Sequence, residues 1–202
     1  MEKSALIIFQ KNAILGKVKT RISIEVGDEA AMEIYQELVM HTHGVCKNVD
    51  AHKFLFFSDF IPDDISEYSQ DYQFEVQAGK DLGLRMEDAF DRIFSKGYKK
   101  IVILGTDCGE LESKILEEAF DLLENQEVVI GPARDGGYYL LGMKKLIGDL
   151  FSEIAWSTEK VLFQTMEKLE NNSISYELLE ILSDVDRIED WKKLKEKIKV
   201  KS

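Results

Sequence analysis

Continuous apolar runs alternating with amphipathic stretches constrain this chain more than any single motif in it. Ala5-Leu6-Ile7-Ile8-Phe9, Lys53-Phe54-Leu55-Phe56-Phe57 and Lys100-Ile101-Val102-Ile103-Leu104 lack the polar alternation of a half-solvated strand, so they read as strands covered on both faces. Between them, Met32, Tyr35, Leu38, Val39 and Thr42 recur at helical spacing, as do Met86, Ala89, Phe90, Ile93 and Phe94. Ile115, Leu116, Ala119, Phe120 and Leu123 mark a third helix, and Val128-Val129-Ile130 and Tyr138-Tyr139-Leu140-Leu141 follow as strands. This alternation predicts a doubly wound, mostly parallel α/β sheet with helices on both faces. Gly136-Gly137 separates the last two strands too closely for a helical crossover, which predicts an antiparallel or mixed element in the second half of the sheet. A helix over 158–169, capped by Ser157 or Thr158, and a final helix over 188–198, with Trp191 and Leu194 on its apolar face, complete the pattern. No repeat or low-complexity linker interrupts it, and 202 residues that are 45% hydrophobic suffice for one core, so a single domain over 1–202 is expected.

Composition narrows the classes of partner. A net charge of -12 argues against non-specific nucleic-acid binding, which needs a basic face to displace counterions, while nucleotides and metabolites remain open. Cys46 and Cys108 are too isolated for a disulfide framework or a CxxC metal site, so a reducing cytoplasm is the expected setting. Met1-Glu2-Lys3-Ser4 leads into an apolar run too short for a signal peptide or a membrane span, and no membrane association is expected.

Against that acidic background, Lys11, Gly16, Lys17, Lys19 and Arg21 follow directly on the first strand. Open α/β sheets hold ligands at the carboxyl ends of their strands, and glycine-freed N–H groups beside Lys and Arg suit phosphate. The alternative is a solvated basic loop. Asp107, just past another buried strand, belongs to the same edge; it is either a ligand for a hard cation such as Mg²⁺ or the N-cap of a helix starting near Glu112. Cys108 beside it has the character of a small buried thiol. Asp184 and Asp186, separated by Val185, project to one face if extended, and either join Asp107 around a cation or cap the final helix.

Two glycine-bearing segments extend the candidate site. Asp135-Gly136-Gly137 permits close backbone approach to a ligand or makes a plain turn. Gln77, Gly79, Gly83 and Arg85 combine an amide, two glycines and a cation at a strand-to-helix junction, where a base or phosphate is read. His41 and His43 do not share a helical face, which disfavours zinc. No G-x-G-x-x-G follows a strand, and Gly16-Lys17-Val18-Lys19-Thr20 lacks the upstream glycine of a P-loop, which disfavours dinucleotide binding and mononucleotide kinases.

Taken in order, Lys11 to Arg21, Gln77 to Arg85, Gly105-Thr106-Asp107-Cys108, Gly131 to Tyr139, Trp156-Ser157-Thr158 and Asp184-Val185-Asp186 resemble the radical-SAM/selenodomain-associated transferases. The resemblance spans almost the whole chain and implies a glycosyltransferase with a GT-A-like nucleotide-diphospho-sugar transferase fold. It extends more distantly to phospholactate and molybdopterin guanylyltransferases. It implies that Lys11, Gly16, Lys19 and Arg21 hold nucleotide phosphates, that Gln77, Gly79, Gly83 and Arg85 border base or ribose, and that Asp107, Asp184 and Asp186 hold Mg²⁺ or Mn²⁺. Gly136, Gly137, Tyr138, Trp156 and Ser157 then line the acceptor side. Asp107 and Asp135 are the candidate catalytic residues, with Asp135 the candidate general base for an acceptor hydroxyl. The chain departs from the family pattern at Ala13 and Gly109, where proline is common, and at Arg187, where threonine is usual. The implied partners are a nucleotide sugar or other nucleotide donor and a small-molecule acceptor. Nucleotidyl transfer with release of pyrophosphate, and nucleotide binding without turnover, stand as the alternatives.

Overall fold

The computed structural model describes residues 3–66, 68 and 72–201. Among these, β1 (Ser4–Gln10), β2 (His52–Phe57), β3 (Tyr72–Val76), β4 (Lys100–Gly105), β5 (Val128–Pro132), β6 (Tyr138–Met143) and β7 (Tyr176–Leu178) form one sheet in the order β3-β2-β1-β4-β6-β5-β7. Only β6 runs antiparallel to its neighbours, between β4 and β5. The mixed element predicted from Gly136-Gly137 is therefore this strand, reached by a tight turn from β5. The helices are α1 (Thr20–Val26), α2 (Asp28–Cys46), α3 (Leu82–Ser95), α4 (Ser113–Leu122), α5 (Val161–Asn171) and α6 (Ile188–Lys201).

Strand residues point alternately to two apolar layers, which is why the central strands need unbroken apolar runs. Leu6 and Ile8 of β1 join Ile115, Leu116 and Ala119 of α4 on one face, whereas Ala5 and Ile7 join Met86, Ala89, Phe90 and Ile93 of α3 on the other. Each fully buried side chain of this size contributes about 1.5–3 kcal/mol relative to exposure. A third cluster has the greatest bearing on function: Ile22 of α1, Ala31, Ile34 and Leu38 of α2, and Val185, Ile188 and Leu194 near the carboxyl end. It draws the segment around Asp184 and Asp186 back to the loop that follows β1. Gly109, where the family pattern favours proline, leaves room for that return, since a Cβ there would lie 2.3 Å from Leu194 Cδ2.

Two strands escaped the pattern of apolar runs. Both β3 and β7 lie at sheet edges, and β7 is a short strand with exposed residues, so neither carries the doubly covered signature. The predicted 158–169 helix is displaced: α5 starts at Val161, because Ser157 adopts φ 63 and the Thr158 hydroxyl donates to Ala155 O at 2.7 Å. The final helix continues to Lys201 rather than ending at 198. No helix among the described residues is long and apolar enough to cross a membrane.

Candidate active site

β1 and β4 are adjacent and parallel, yet the chain leaves β1 for β2 on the opposite side, so their carboxyl ends border a topological switch point. The loop after β1 is anchored there by the Tyr35 hydroxyl, which donates to Lys11 O at 2.6 Å. Asn12 fastens its far side: Oδ1 accepts from Asp59 N at 3.0 Å, and Nδ2 donates to Phe60 O at 2.8 Å. Gly16 takes φ 74 in the turn closed by Lys17 N donating to Ile14 O. Lys19 then holds φ 47 immediately before α1, a left-handed conformation costing a side-chain-bearing residue about 1–2 kcal/mol.

That conformation sends the Lys19 side chain inward. Its ammonium donates to Asp107 Oδ1 at 2.5 Å and to Val185 O at 2.6 Å, with the lysine side chain 5% exposed and that of Asp107 45%. Arg21 Nη1 donates to Asp186 Oδ2 at 2.9 Å at the solvent edge. Val185 N donates to Asp107 O at 2.9 Å and its side chain is buried, so Asp184 and Asp186 flank an anchored residue. Asp107 is not a helix cap, because α4 has Glu112 at its N-cap and no side-chain bond there. Asp186 does not cap α6 either; Asp190 Oδ2 accepts from Arg187 N at 2.9 Å instead.

These residues enclose a cavity of about 550 Å³, whose walls include Lys11, Lys19, Arg21, Asp107, Asp184 and Asp186. Its far wall comprises Asp135, Gly137, Tyr138, Trp156 and Ser157. A second cavity of about 390 Å³ shares Lys11, Asp107, Tyr138, Ser157 and Asp184 and reaches Gln77 and Met86. Burial, followed by the negative charges of Asp107 and Asp135, pushes the Asp184 carboxyl up to about 7, against the pull of Lys19. Burial, with Asp107 adding to it, likewise raises the Tyr35 hydroxyl. The site thus concentrates more negative charge than its one buried ammonium balances.

Gly16, Gly79, Gly83, Arg85 and Gly136 stand back from these walls. Arg85 Nε donates to Gly79 O at 3.2 Å and Nη1 to Gln77 Oε1 at 3.3 Å, while Gln77 Nε2 donates to Phe56 O at 3.0 Å. Arg85 therefore braces Gln77, which reaches the second cavity together with Leu82 of the same segment. The space expected for a ligand at two glycines is taken by the protein. A Cβ on Gly83 would lie 2.2 Å from Trp156 Nε1, and one on Gly136, at φ 88, would lie 2.2 Å from Glu159 O. Both glycines seat the loop carrying Trp156 and Ser157. Asp135 Oδ1 accepts from Gly137 N at 2.9 Å, so the plain turn also exists, with the acid on the cavity wall.

Asn12, Tyr35 and, on the far wall, Glu159 are among the site residues that the sequence did not single out. Tyr35 lies on the apolar stripe of α2 and is indistinguishable there from core; Asn12, a polar residue at a strand exit, carried the only usable signal.

Among the described residues no three His, Cys, Asp or Glu side chains stand close enough together to enclose a metal ion. The donors nonetheless suit a hard cation: Asp107, Asp184 and Asp186 offer carboxylate oxygen, and their crowding favours added positive charge. Such a set matches the mode in which one or two carboxylates hold Mg²⁺ and ligand phosphates and water complete its shell.

The model of the family described as "Uncharacterized protein conserved in bacteria (DUF2064)" matches residues 42–158. The chain belongs to this family. Among solved structures, it is similar to a protein from Desulfovibrio desulfuricans G20 named as a nucleotide-diphospho-sugar transferase, at 30% identity and a TM-score of 0.86, over 93% of this chain and 84% of that one. The fold is accordingly the GT-A-like fold of the nucleotide-diphospho-sugar transferases. It also resembles a CMP:2-keto-3-deoxy-manno-octonic acid synthetase complexed with CTP, at 10% identity and a TM-score of 0.62 over 99% and 100% of the two chains. A 4-diphosphocytidyl-2C-methyl-D-erythritol synthase from Anaerococcus prevotii DSM 20548 aligns at 12% identity and a TM-score of 0.61 over 98% and 96%. No curated protein matches the chain.

Proposed function

We propose that the chain is a metal-dependent transferase acting on a nucleotide-activated donor, and that it transfers a glycosyl group from a nucleotide sugar to a small-molecule acceptor. The observation that carries this reading is the buried Lys19 ammonium against Asp107 at the carboxyl ends of β1 and β4, beside Arg21, Asp184 and Asp186 in one cavity. Lys11, Lys19 and Arg21 supply positive charge for a diphosphate, and Asp107, Asp184 and Asp186 are the residues to hold Mg²⁺ or Mn²⁺. The cation, when bound, offsets charge developing on the leaving diphosphate. Gln77, seated by Arg85, faces base or ribose. Across the cavity, Asp135 accepts the proton of the acceptor hydroxyl as its oxygen bonds to the anomeric carbon and the bond to the diphosphate breaks. Gly137, Tyr138, Trp156 and Ser157 shape the acceptor side, and Gly136 and Gly83 hold that wall in place.

The name of the Desulfovibrio relative supports the nucleotide-sugar reading. The names of the two synthetases support the second reading, nucleotidyl transfer with pyrophosphate as leaving group. The radical-SAM and selenodomain association rests on the motif resemblance alone. We place the activity in the cytoplasm, in one domain over 1–202, with neither nucleic acid nor membrane as partner; the acidic charge of the chain supports the exclusion of nucleic acid. A thermal-shift screen of nucleotides and nucleotide sugars with Mg²⁺ or Mn²⁺ tests the proposal, since a ligand that binds the folded state raises its apparent stability. Stabilisation by a nucleotide sugar, with no pyrophosphate released from CTP or GTP, is the expected result. Pyrophosphate release selects nucleotidyl transfer, and no response to any nucleotide overturns both.

A further inference from the structure

Two of the three cations assigned to phosphate, Lys19 and Arg21, are already engaged by carboxylates. Lys19 is bonded to Asp107 and Arg21 to Asp186, and these are two of the three carboxylates assigned to the metal. Asp135 lies in the same cavity but bonds its own turn at Gly137 N. We propose that Asp107 and Asp186 act as internal phosphate mimics, so that the site takes a metal–diphosphate pair by exchanging ion partners and disfavours either component alone. The inference rests on the proposed phosphate and metal roles and adds a coupling between them.

The physical argument is one of competition. A diphosphate arriving alone must break the pairs with Lys19 and Arg21 and is set beside carboxylates left without their partners, a like-charge arrangement. A divalent cation arriving alone must take Asp107 from the ammonium of a lysine side chain that is 5% exposed and that, among the described residues, has Val185 O as its other hydrogen-bond partner. Arriving together, the two give each of the four paired groups a new partner of opposite sign: diphosphate for Lys19 and Arg21, cation for Asp107 and Asp186. Such reciprocity is a coupling free energy between the two ligands, equal in both directions.

The exchange makes a prediction opposite in sign to simple loss of a ligand-binding residue. Pyrophosphate binding is measured by calorimetry on the full chain, in EDTA and in Mg²⁺, for the parent, Asp186→Asn, Asp107→Asn and Asp135→Asn. In EDTA, Asp186→Asn is expected to bind about two- to fivefold tighter than the parent, the scale of an exposed ion pair removed as competitor. Asp107→Asn gains more, because its partner lysine is buried, and both variants lose most of the Mg²⁺-dependent gain in affinity. Asp135→Asn separates exchange from general electrostatics: it removes one negative charge from the same cavity without releasing Lys19 or Arg21 and is expected to change little. Equal gains in all three variants, or none in Asp186→Asn, overturn the exchange. Failure of the parent to bind pyrophosphate in either condition overturns the phosphate site itself and the exchange with it. Should Asp107→Asn fold poorly, Asp186→Asn against Asp135→Asn decides the matter alone.

Discussion

The Lys19 ammonium lies 2.5 Å from Asp107 Oδ1, a lysine side chain 5% exposed facing a carboxylate 45% exposed. The asymmetry sets what each substitution does. Asp107→Asn leaves a buried ammonium facing a neutral amide oxygen and the Val185 carbonyl in place of a charged partner, and water admitted through the exposed side limits the cost to about 1–2 kcal/mol rather than the several expected of a fully buried pair. Urea denaturation measures that loss, and titration with Mg²⁺ or Mn²⁺ and nucleotide is expected to show no metal-dependent binding. A variant that binds metal and nucleotide like the parent removes Asp107 from the proposed metal set.

Replacing Lys19 and Arg21 together with Ala is expected to weaken nucleoside diphosphates in Mg²⁺ by at least about tenfold while leaving nucleosides nearly unchanged, since charge-assisted contacts to phosphate are removed and those to base and ribose kept. Equilibrium binding of the two ligand types gives the comparison. Equal weakening of both assigns the effect to folding.

Gly83→Ala forces a Cβ to within 2.2 Å of Trp156 Nε1. Overpacking of this kind costs about 1–3 kcal/mol, and the indole must move to relieve it. A lower unfolding midpoint, with altered Trp156 fluorescence in the folded state of a Trp191→Phe background, is the expected result. Unchanged fluorescence and stability contradict the seating of Trp156 on the first turn of α3.

His43 provides a pH dependence. Gln10 Nε2 donates to Tyr68 Oη, so Gln10 Oε1 accepts from His43 Nε2 at 2.8 Å, and Nδ1 accepts from the Tyr72 hydroxyl at 2.9 Å. Burial lowers the imidazole from 6.5 to about 4. The unfolded chain therefore binds a proton below about 6.5 that the folded one refuses until about 4, so the contribution is fully present above 6.5 and lost as pH falls through that window. Up to about 3 kcal/mol is at stake, at about 1.4 kcal/mol per unit. Denaturation at pH 7.5 and pH 4.5 is expected to show a smaller acid loss in His43→Gln than in the parent; parallel losses assign the effect to other groups.

Doubly covered strands were legible because burial on both faces demands an unbroken apolar run, a requirement written locally at Ala5–Phe9 and Lys100–Leu104. The position of Asp107 just beyond such a run also placed it at the ligand edge. Edge strands β3 and β7 were not legible, since half-solvated or short strands carry no such demand. Nor were the glycines at positions 83 and 136, whose missing side chains accommodate Trp156 and Glu159 from elsewhere in the chain. Local composition alone thus determined the strand and helix pattern, the acidic balance and which residue types stand at strand ends. The pairing of Lys19 with Asp107 and of Arg21 with Asp186 was decided only in three dimensions. Those partners are 88 and 165 residues apart, and what joins them is the packing of Val185, Ile188 and Leu194 against α1 and α2, an apolar contact with no local trace in either segment.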